Sequence, residues 1–551
     1  MNKHPLLHAL VPLFIAWSTL SAQTTGVATP SASPSATPDS ALKLPAIIGD
    51  HMVLQQKLAD PIWGWDKPGT KVTVSFAGKQ YTATAGSDGK WIVKLDPMPA
   101  NATPQTMSIT GSDKRELRDI LIGEVWLCSG QSNMGFRLAQ DWNGDLESDV
   151  SNFPNLRLIT VPNVGTQKLQ NDFKGQWEAS TPETAAKFTA VGLLYGRTLH
   201  QILNVPVGLI NNAWGGSAAE AWVRRSELEK DLHFKRLMEE TVKLEARNSS
   251  EAEKQKYQED LAKWKVAVEQ AKAQNAKPPA QPRSPEQWMT GNQRPGNIFN
   301  GVLNPTIGYG IKGAIWYQGE SNARQAYEYN YLFPFMISQW RKEWGQGDFP
   351  FYWVQLTNFQ PRKTQPSESA WAELREAQTK TMKLPNTGQA VIIDLGEGKD
   401  IHPRNKRDVA ARLVRWPLVM DYGMKLPYRS PEFQSVAFDS SKALVTLDCH
   451  GSSLRPFGVD EVQGFTLCGA DGIWHWAQGK VIGKDQVELT SAEVPSPTFV
   501  RYAWADNPDC NLFSMDGLPV TPFRTDNFPM STDPNRLPKP GASALPAVRQ
   551  Q

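Results

Sequence analysis

Cysteine is scarce in this sequence. Its 551 residues contain only four cysteines, Cys128, Cys449, Cys468 and Cys510. That number is too small for a disulfide scaffold, and the absence of a CxxC pair gives no reason to expect a structural zinc site. In an exported protein one or two bridges could form, and the sequence does not assign them.

Net charge and long apolar runs are also lacking. The formal net charge is +2, which gives no basis for obligate binding to nucleic acid or to an anionic membrane. Residues 1–22 combine Lys3 with an apolar stretch and end in small residues, the pattern of a secretory signal peptide. No later run is long enough to cross a bilayer. We therefore expect a secreted or periplasmic protein whose mature form is not inserted in the membrane.

The chain is too long for one core, so two to four domains are expected. Residues 23–43, rich in Ser, Thr, Pro and Ala, indicate a disordered linker. Short alternating runs separated by turn signals predict a small β-sandwich over residues 44–117 and a second β-rich region over residues 422–531. The polar, proline-containing residues 532–551 are predicted to be a disordered tail.

Between the two β-rich regions, residues 118–421 alternate apolar strands with helical stretches. This alternation predicts an α/β domain, a parallel sheet with helices on both faces, flanked by β-sandwich-type domains. A segment at about 225–285, rich in charged residues, Gln and Ala, predicts an insertion of one or two long helices. A solvated excursion is the favoured interpretation of that insertion, and a lid or partner surface is the alternative.

Ser132 follows the most apolar of these strands. The run Ile120–Leu127 stops in the small, polar stretch Ser129–Asn133. A buried strand that ends in a glycine-containing turn can place a serine hydroxyl at the carboxyl edge of a sheet, where α/β enzymes carry their chemistry. An ordinary turn would look the same, so the interpretation depends on partners elsewhere in the chain.

A serine nucleophile needs a base, and His402 is the best placed of the eight histidines. It lies in Asp400-Ile-His-Pro, a loop that follows a predicted strand of the α/β domain. A structural loop histidine is the alternative. Donors for a developing oxyanion could come from two other post-strand turns. Gly215 and Gly216 could offer backbone N–H groups, and Gln318 could offer its side-chain amide.

Four motifs together resemble the sialate O-acetylesterase family of the SGNH hydrolase superfamily. They are Gly-Gln-Ser-Asn-Met at 130–134, Asn-Ala-Trp-Gly-Gly-Ser at 212–217, Trp-Tyr-Gln-Gly-Glu-Ser-Asn at 316–322 and Asp-Ile-His-Pro at 400–403. The opening Met-Val-Leu-Gln-Gln at 52–56 and the late Phe-Val-Arg-Tyr-Ala-Trp at 499–504 are also similar to that family. The resemblance covers nearly the whole chain apart from the linker, the insertion and the tail.

The resemblance implies an SGNH-like sheet, no metal or organic cofactor, and an O-acetylated glycan as substrate. Ser132 is implied as the nucleophile that attacks the acetyl carbonyl, and His402 as the base. The implied oxyanion donors are the Ser132 N–H, the N–H of Gly216 in preference to Gly215, and the Gln318 side chain.

Two parts of the site stay open at this point. Many SGNH hydrolases carry an Asp three residues before the histidine, but here Asp400 is only two before His402. Asp400 is favoured as the triad acid, and Glu320 competes with it. The sugar contacts are also open, and the candidates are Arg137 and Arg404, which could bind a carboxylate, and Trp214.

We expect a serine esterase that removes O-acetyl groups from carbohydrate through an acetyl-serine intermediate, with sialic acid as the favoured substrate. Acetylated xylan or pectin would need the same catalytic set and is the alternative substrate. A noncatalytic glycan-binding protein that uses some of the twenty tryptophans is the alternative of another class. The sequence does not indicate an oligomeric state.

Overall fold

The computed structural model describes residues 41–536. The predicted signal peptide, residues 23–40 of the predicted linker and residues 537–551 of the predicted tail lie outside the described residues. No helix among residues 41–536 is long and apolar enough to cross a membrane. All four cysteines are free thiols.

The first part of the chain is built from strands with alternating burial. These strands are β1 Val53–Gln55, β2 Pro61–Trp65, β3 Lys71–Phe76, β4 Lys79–Thr84, β5 Lys90–Lys94, β6 Asn101–Thr110 and β7 Lys114–Gly130. In β3 only Val72, Val74 and Phe76 are buried, so one face of the strand meets the core. β3 pairs antiparallel with β4 and β6, and β2 pairs with β5.

β7 joins this region to the central sheet, because it is a single strand of 17 residues. Its first half pairs antiparallel with β6, and its second half pairs parallel with strands that follow later in the chain. The boundary that the sequence suggested at residues 117/118 falls inside this strand. The two parts therefore share a strand, and the end of β7 pairs with β10 on one side and β11 on the other.

The middle of the chain forms the α/β part. Its strands are β8 Phe153–Thr160, β9 Glu178–Ser180, β10 Val207–Asn211, β11 Gly313–Tyr317, β12 Phe351–Val354 and β13 Thr387–Ala390. Its helices are α1 Ser132–Gly135, α2 Gly144–Asp149, α3 Pro182–Lys187, α4 Ala190–Leu203, α5 Arg225–Lys230, α6 Lys235–Ser249, α7 Glu251–Ala273, α8 Pro285–Met289, α9 Ala326–Trp344, α10 Ala370–Thr381 and α11 Lys406–Met420.

The central sheet has the order β13-β12-β11-β7-β10-β8-β9, and every pair is parallel except β8 with β9. Side chains that alternate along β11 enter two different cores. Trp316 packs with residues of α9 and α10, whereas Ile315 and Tyr317 pack with residues of α4 and α11. Helices therefore cover both faces, which confirms the predicted fold class.

The charged insertion forms α5, α6 and α7. No residue of α7 is buried, as its polar composition requires. The chain then returns through residues 276–284 to α8. Trp264 of α7 donates a hydrogen bond of 2.8 Å from Nε1 to the carbonyl of Pro279, which fixes this returning segment against the helix.

The last part of the chain is β-rich. Its strands are β14 Glu432–Asp439, β15 Lys442–Asp448, β16 Leu454–Pro456, β17 Phe465–Cys468, β18 Trp474–Trp476, β19 Gln478–Ile482, β20 Gln486–Thr490, β21 Phe499–Tyr502, β22 Leu512–Ser514 and β23 Phe523–Arg524. They form two four-stranded sheets and one two-stranded sheet. Thr532 and Arg536, which the sequence assigned to the tail, make hydrogen bonds to Glu373 and Glu368.

Candidate active site

Ser132 lies directly beyond the carboxyl end of β7. Gly130 ends that strand with a φ of +135°, and a Cβ there would lie 2.3 Å from the carbonyl oxygen of Tyr317. Only glycine allows this turn, because the conformation and the close approach both exclude a side chain. The next residue, Gln131, donates its N–H to the same carbonyl at 2.9 Å. Ser132 is thereby held at the edge where β7 and β11 end.

His402 reaches this serine from the loop between β13 and α11. Its Nε2 lies 2.8 Å from Oγ of Ser132, a hydrogen-bond distance. Burial lowers the pKa of His402 below its usual value, and the charge of Lys406 lowers it further. A lowered pKa favours the uncharged imidazole at neutral pH, and that form can accept a proton from the serine hydroxyl. The structure brings together the two residues that the sequence singled out 270 positions apart.

The two candidate acids occupy different places. Oδ1 of Asp400 lies 3.7 Å from Nδ1 of His402, on the side of the ring away from Ser132, and accepts the His402 backbone N–H at 2.9 Å. Within residues 41–536, Glu320 makes no hydrogen bond or ion pair with His402. Its Oε1 accepts a hydrogen bond of 2.6 Å from Asn133, and its buried Oε2 has no partner in the described part of the chain.

Lys406 and Asn133 form a buried bridge that sequence reasoning did not find. Lys406 is 0% exposed, and its Nζ donates to Oδ1 of Asn133 at 2.6 Å. The Asn133 amide also donates to the carbonyl of Ile401 at 3.0 Å, which ties the turn that carries Ser132 to the loop that carries His402. Burial lowers the pKa of Lys406 to about 7, and burial raises the pKa of Glu320. No sequence pattern marks a lysine as buried.

The glycine loop lies beside Ser132, at the same sheet edge. A Cβ built on Gly215 would lie 3.3 Å from Cβ of Ser132, so the Gly215 backbone is in near contact with the serine. Gly216 has a φ of +72°. The carbonyl of Gly215 accepts a hydrogen bond from the Asn292 amide, which fixes the loop.

The Gln318 side chain does not reach the cleft. Gln318 is 0% exposed, and its amide nitrogen donates to the Ser217 carbonyl at 3.1 Å and to Oδ1 of Asn322 at 2.7 Å. Both amide hydrogens are therefore used inside the protein. In this geometry the side chain supports the glycine loop through Ser217.

Ser132 and His402 open into a cleft of about 780 Å³. One wall comes from the end of the insertion and the residues after it. The wall residues from this segment are Gln281, Pro282, Arg283, Gln287, Asn292 and Gln293. Within the described residues no ion-pair partner is present for Arg283. The predicted solvated excursion therefore also contributes to the cleft.

The three sugar-contact candidates lie outside the cleft lining. Arg137 and Arg404 are exposed and are not among the residues that line the cleft. Trp214 is partly buried and packs against the hydrophobic core. Trp214 was a candidate only because it stands in the glycine loop. Nothing in the sequence indicated that Arg283 lies at the site.

Comparison with known proteins gives a consistent result. The family profile described as carbohydrate esterase, sialic acid-specific acetylesterase, matches residues 122–274 and 284–410. The sialate O-acetylesterase of Mus musculus is 29% identical over 531 residues, which cover 86% of this chain and 93% of that protein. The human sialate O-acetylesterase is 28% identical over 86% of this chain and 91% of its own length.

A solved structure agrees with the sequence comparison. The crystal structure of a carbohydrate acetylesterase from Xanthomonas citri superimposes with a TM-score of 0.74 at 37% sequence identity. The match covers 88% of this chain and 100% of that one. The similarity therefore extends through the flanking β-rich parts as well as the central sheet.

Proposed function

The chain belongs to the sialic acid-specific acetylesterase family of carbohydrate esterases, and from this premise we propose that it removes O-acetyl groups from sialic acid through an acetyl-serine intermediate. Family membership makes it a carboxylic ester hydrolase that acts on acetylated carbohydrate. The observation that carries the mechanistic part is the 2.8 Å contact between Ser132 Oγ and His402 Nε2 in an open cleft.

The reaction begins at Ser132. Its Oγ attacks the acetyl carbonyl carbon while His402 Nε2 takes the hydroxyl proton. The tetrahedral intermediate collapses, the bond between the acetyl carbon and the sugar oxygen breaks, and the imidazolium returns the proton to the sugar oxygen. A water molecule, deprotonated by His402, then attacks acetyl-Ser132. Collapse of this second intermediate releases acetate and regenerates the serine.

Asp400 is the proposed triad acid. It lies on the Nδ1 side of His402, where a carboxylate orients the ring and stabilises the imidazolium that forms during attack. The 3.7 Å distance is longer than a hydrogen bond, and such contacts in enzymes without substrate are often loose. Glu320 has a different proposed role, because its hydrogen bond to Asn133 holds the nucleophile turn.

Backbone donors are the proposed oxyanion hole. The N–H of Ser132 and an N–H of the adjacent glycine loop, Gly216 in preference to Gly215, would face the developing negative charge. Gln318 is proposed to position this loop through its hydrogen bond to the Ser217 carbonyl, because both its amide hydrogens are already donated.

The proposed substrate is supported by Arg283, a guanidinium on the cleft wall without an ion-pair partner in the described chain, which suits the carboxylate of a sialic acid. Acetylated plant polysaccharide is a second candidate. It is favoured by the amide side chains of Gln281 and Gln293 on the same wall, which make no hydrogen bond within the described residues and suit neutral hydroxyl groups.

The test is acetate release from O-acetylated N-acetylneuraminic acid and from acetylated xylan, measured side by side for the wild type and for Ser132→Ala. We expect release from the sialic acid that is lost in the variant. Faster release from acetylated xylan would be consistent with the same mechanism but would contradict sialic acid as the preferred substrate. Activity that survives Ser132→Ala in a folded protein would contradict the nucleophile.

A further inference from the structure

A second cavity, of about 310 Å³, lies between the loop at residues 362–367 and the C-terminal β-rich part. It shares no lining residue with the catalytic cleft. Its volume falls at the lower end of the range of ligand sites, which is about 300–1,000 Å³. Nothing in the proposed reaction uses it.

Two tryptophans line this cavity. Trp476, at the end of β18, is 39% exposed, and its Nε1 donates a hydrogen bond of 3.0 Å to the Thr364 carbonyl. That bond fixes a partly exposed aromatic ring in the lining of the cavity, so a ligand that stacks on the ring does not have to immobilise it. Exposed indole rings of this kind pack against the C–H faces of pyranose rings.

Trp504 forms part of the cavity wall. It is 8% exposed, and its ring is held by the guanidinium groups of Arg501 and Arg524, whose Cζ atoms lie 5.1 and 5.2 Å from the ring centroid. Its buried Nε1 has no hydrogen-bond partner within residues 41–536. Trp504 therefore contributes a fixed aromatic wall to the cavity, and its enclosed Nε1 is not available to a ligand.

The polar side chains of the cavity suit a neutral, polyhydroxylated ligand. Within the described residues, the amides of Gln365 and Gln463 make no hydrogen bond that would occupy them. The cations and anions balance, because Arg362 is 3.2 Å from Asp509 while Lys363 and Glu461 are of opposite sign. A balanced set of donors and acceptors binds hydroxyl groups and gives no preference for a charged ligand.

The cavity is linked to the catalytic loop through two asparagines. Oδ1 of Asn507, which lines the cavity, accepts a hydrogen bond of 2.9 Å from the Asn358 amide. Oδ1 of Asn358 accepts the N–H of Gly396 at 2.7 Å, at the start of the loop that carries His402. One hydrogen-bonded pair of asparagines therefore connects the cavity to the loop that carries His402.

We propose that this cavity is a second glycan-binding site, which holds a neutral pyranose unit of the glycan whose acetyl group enters the catalytic cleft. That the same glycan carries the acetyl group rests on the proposed function, whereas the binding of a pyranose unit in the cavity does not. Trp476 provides the stacking surface, and Gln463 provides hydrogen bonds to the sugar hydroxyls.

Binding is tested in the full chain carrying Ser132→Ala, with xylohexaose and 3′-sialyllactose as probes, by saturation-transfer NMR and titration. We expect binding of at least one probe, and a loss of about tenfold in its affinity with Trp476→Ala and with Gln463→Ala. Ile473→Ala is the matched control, because Ile473 is 56% exposed and precedes β18 without lining the cavity. Unchanged affinity in both variants, or no binding of either probe, would overturn the proposal.

Kinetics separate this proposal from the proposed function. With Ser132 intact, Trp476→Ala is expected to raise KM about tenfold for the acetylated glycan and to leave kcat/KM for 4-nitrophenyl acetate unchanged. If Trp476→Ala loses activity on both the acetylated glycan and 4-nitrophenyl acetate, its fold is damaged. The same two measurements on Gln463→Ala then test the second site. A wild type that binds xylohexaose through Trp476 but releases no acetate from glycans would contradict the proposed function and retain the second site.

Discussion

The buried ammonium of Lys406 donates a hydrogen bond of 2.6 Å to Oδ1 of Asn133, the residue that follows the proposed nucleophile. The Asn133 amide in turn donates hydrogen bonds to Oε1 of Glu320 and to the carbonyl of Ile401, the residue before His402. The turn that carries Ser132 and the loop that carries His402 come from distant parts of the chain. Asn133 joins them, and its side chain lies between Lys406 and Glu320.

Removal of the Lys406 side chain is predicted to destabilise the fold. Lys406→Met leaves the buried Oδ1 of Asn133 without its donor and takes away the positive charge that lowers the pKa of Glu320, and we expect a loss of about 1–3 kcal/mol in the free energy of unfolding. The double variant Lys406→Met/Glu320→Gln should recover part of that loss. Urea denaturation measures both, and a double variant less stable than the single one would contradict the bridge.

The pH dependence of activity should move in a definite direction. His402 acts as a base only when neutral, so kcat/KM falls on the acid side as pH drops through its pKa. Burial and the Lys406 charge hold that pKa below its usual value, and the wild type should therefore stay active below the normal pH range of histidine titration. Lys406→Met removes the repelling charge, raises the pKa of His402 and moves the acid limb to higher pH. A shift to lower pH would contradict this account.

The two candidate acids can be separated by isosteric substitution. Asp400→Asn removes the charge that orients and stabilises the imidazolium, and we expect kcat to fall about a hundredfold. Glu320→Gln keeps an oxygen for Asn133, so kcat should fall less than about tenfold. Acetate release under saturating substrate measures both. The reverse order of effects would make Glu320 the acid.

The glycine loop can be tested with a strain-matched pair. Gly216 and Gly423 have φ values of +72° and +70°, so alanine at either position costs about 1 kcal/mol in backbone strain. Only Gly216 lies at the cleft, and Gly216→Ala is expected to lower kcat about a hundredfold by moving an oxyanion donor. If both variants lower kcat by the same small factor, the glycine loop does not contribute a donor to the oxyanion hole.

Arg283 is predicted to select for an acidic sugar. Arg283→Gln should raise KM for O-acetylated N-acetylneuraminic acid at least about tenfold and leave hydrolysis of 4-nitrophenyl acetate unchanged. Arg118→Gln is the control, because Arg118 lies in β7 about 40 Å along the strand from its carboxyl end. An unchanged KM for the sialic acid would favour the neutral-polysaccharide substrate.

Ser132 and His402 could be predicted because hydrophobic runs show where strands end, and the ends of parallel strands share one edge of the sheet. The direction of a side chain is not visible in this way. Gln318 follows a strand as expected, yet its amide turns inward to Ser217 and Asn322. The same reason left Asp400 and Glu320 undecided, since both lie near the site and only their orientation separates them.

Two other features depend on contacts between distant segments. Lys406 begins a helix, where a lysine is normally solvated, and here the rings of Phe136 and Tyr317 pack over its buried Nζ. The polar composition of the insertion predicts exposed helices, which α7 is. It contains no signal that the segment after α7 folds back to place Arg283 on the wall of the cleft.

The most direct test of the central claim is detection of the acetyl group on Ser132. The wild type and Ser132→Ala would be mixed with 4-nitrophenyl acetate, quenched in acid within the first turnover, digested and examined by mass spectrometry. We predict one acetyl group on the wild-type peptide that contains Ser132, lost on further incubation and absent from the variant. Full turnover with no acetyl group on that peptide, or with a stoichiometric acetyl group on another residue, would contradict the acetyl-serine mechanism.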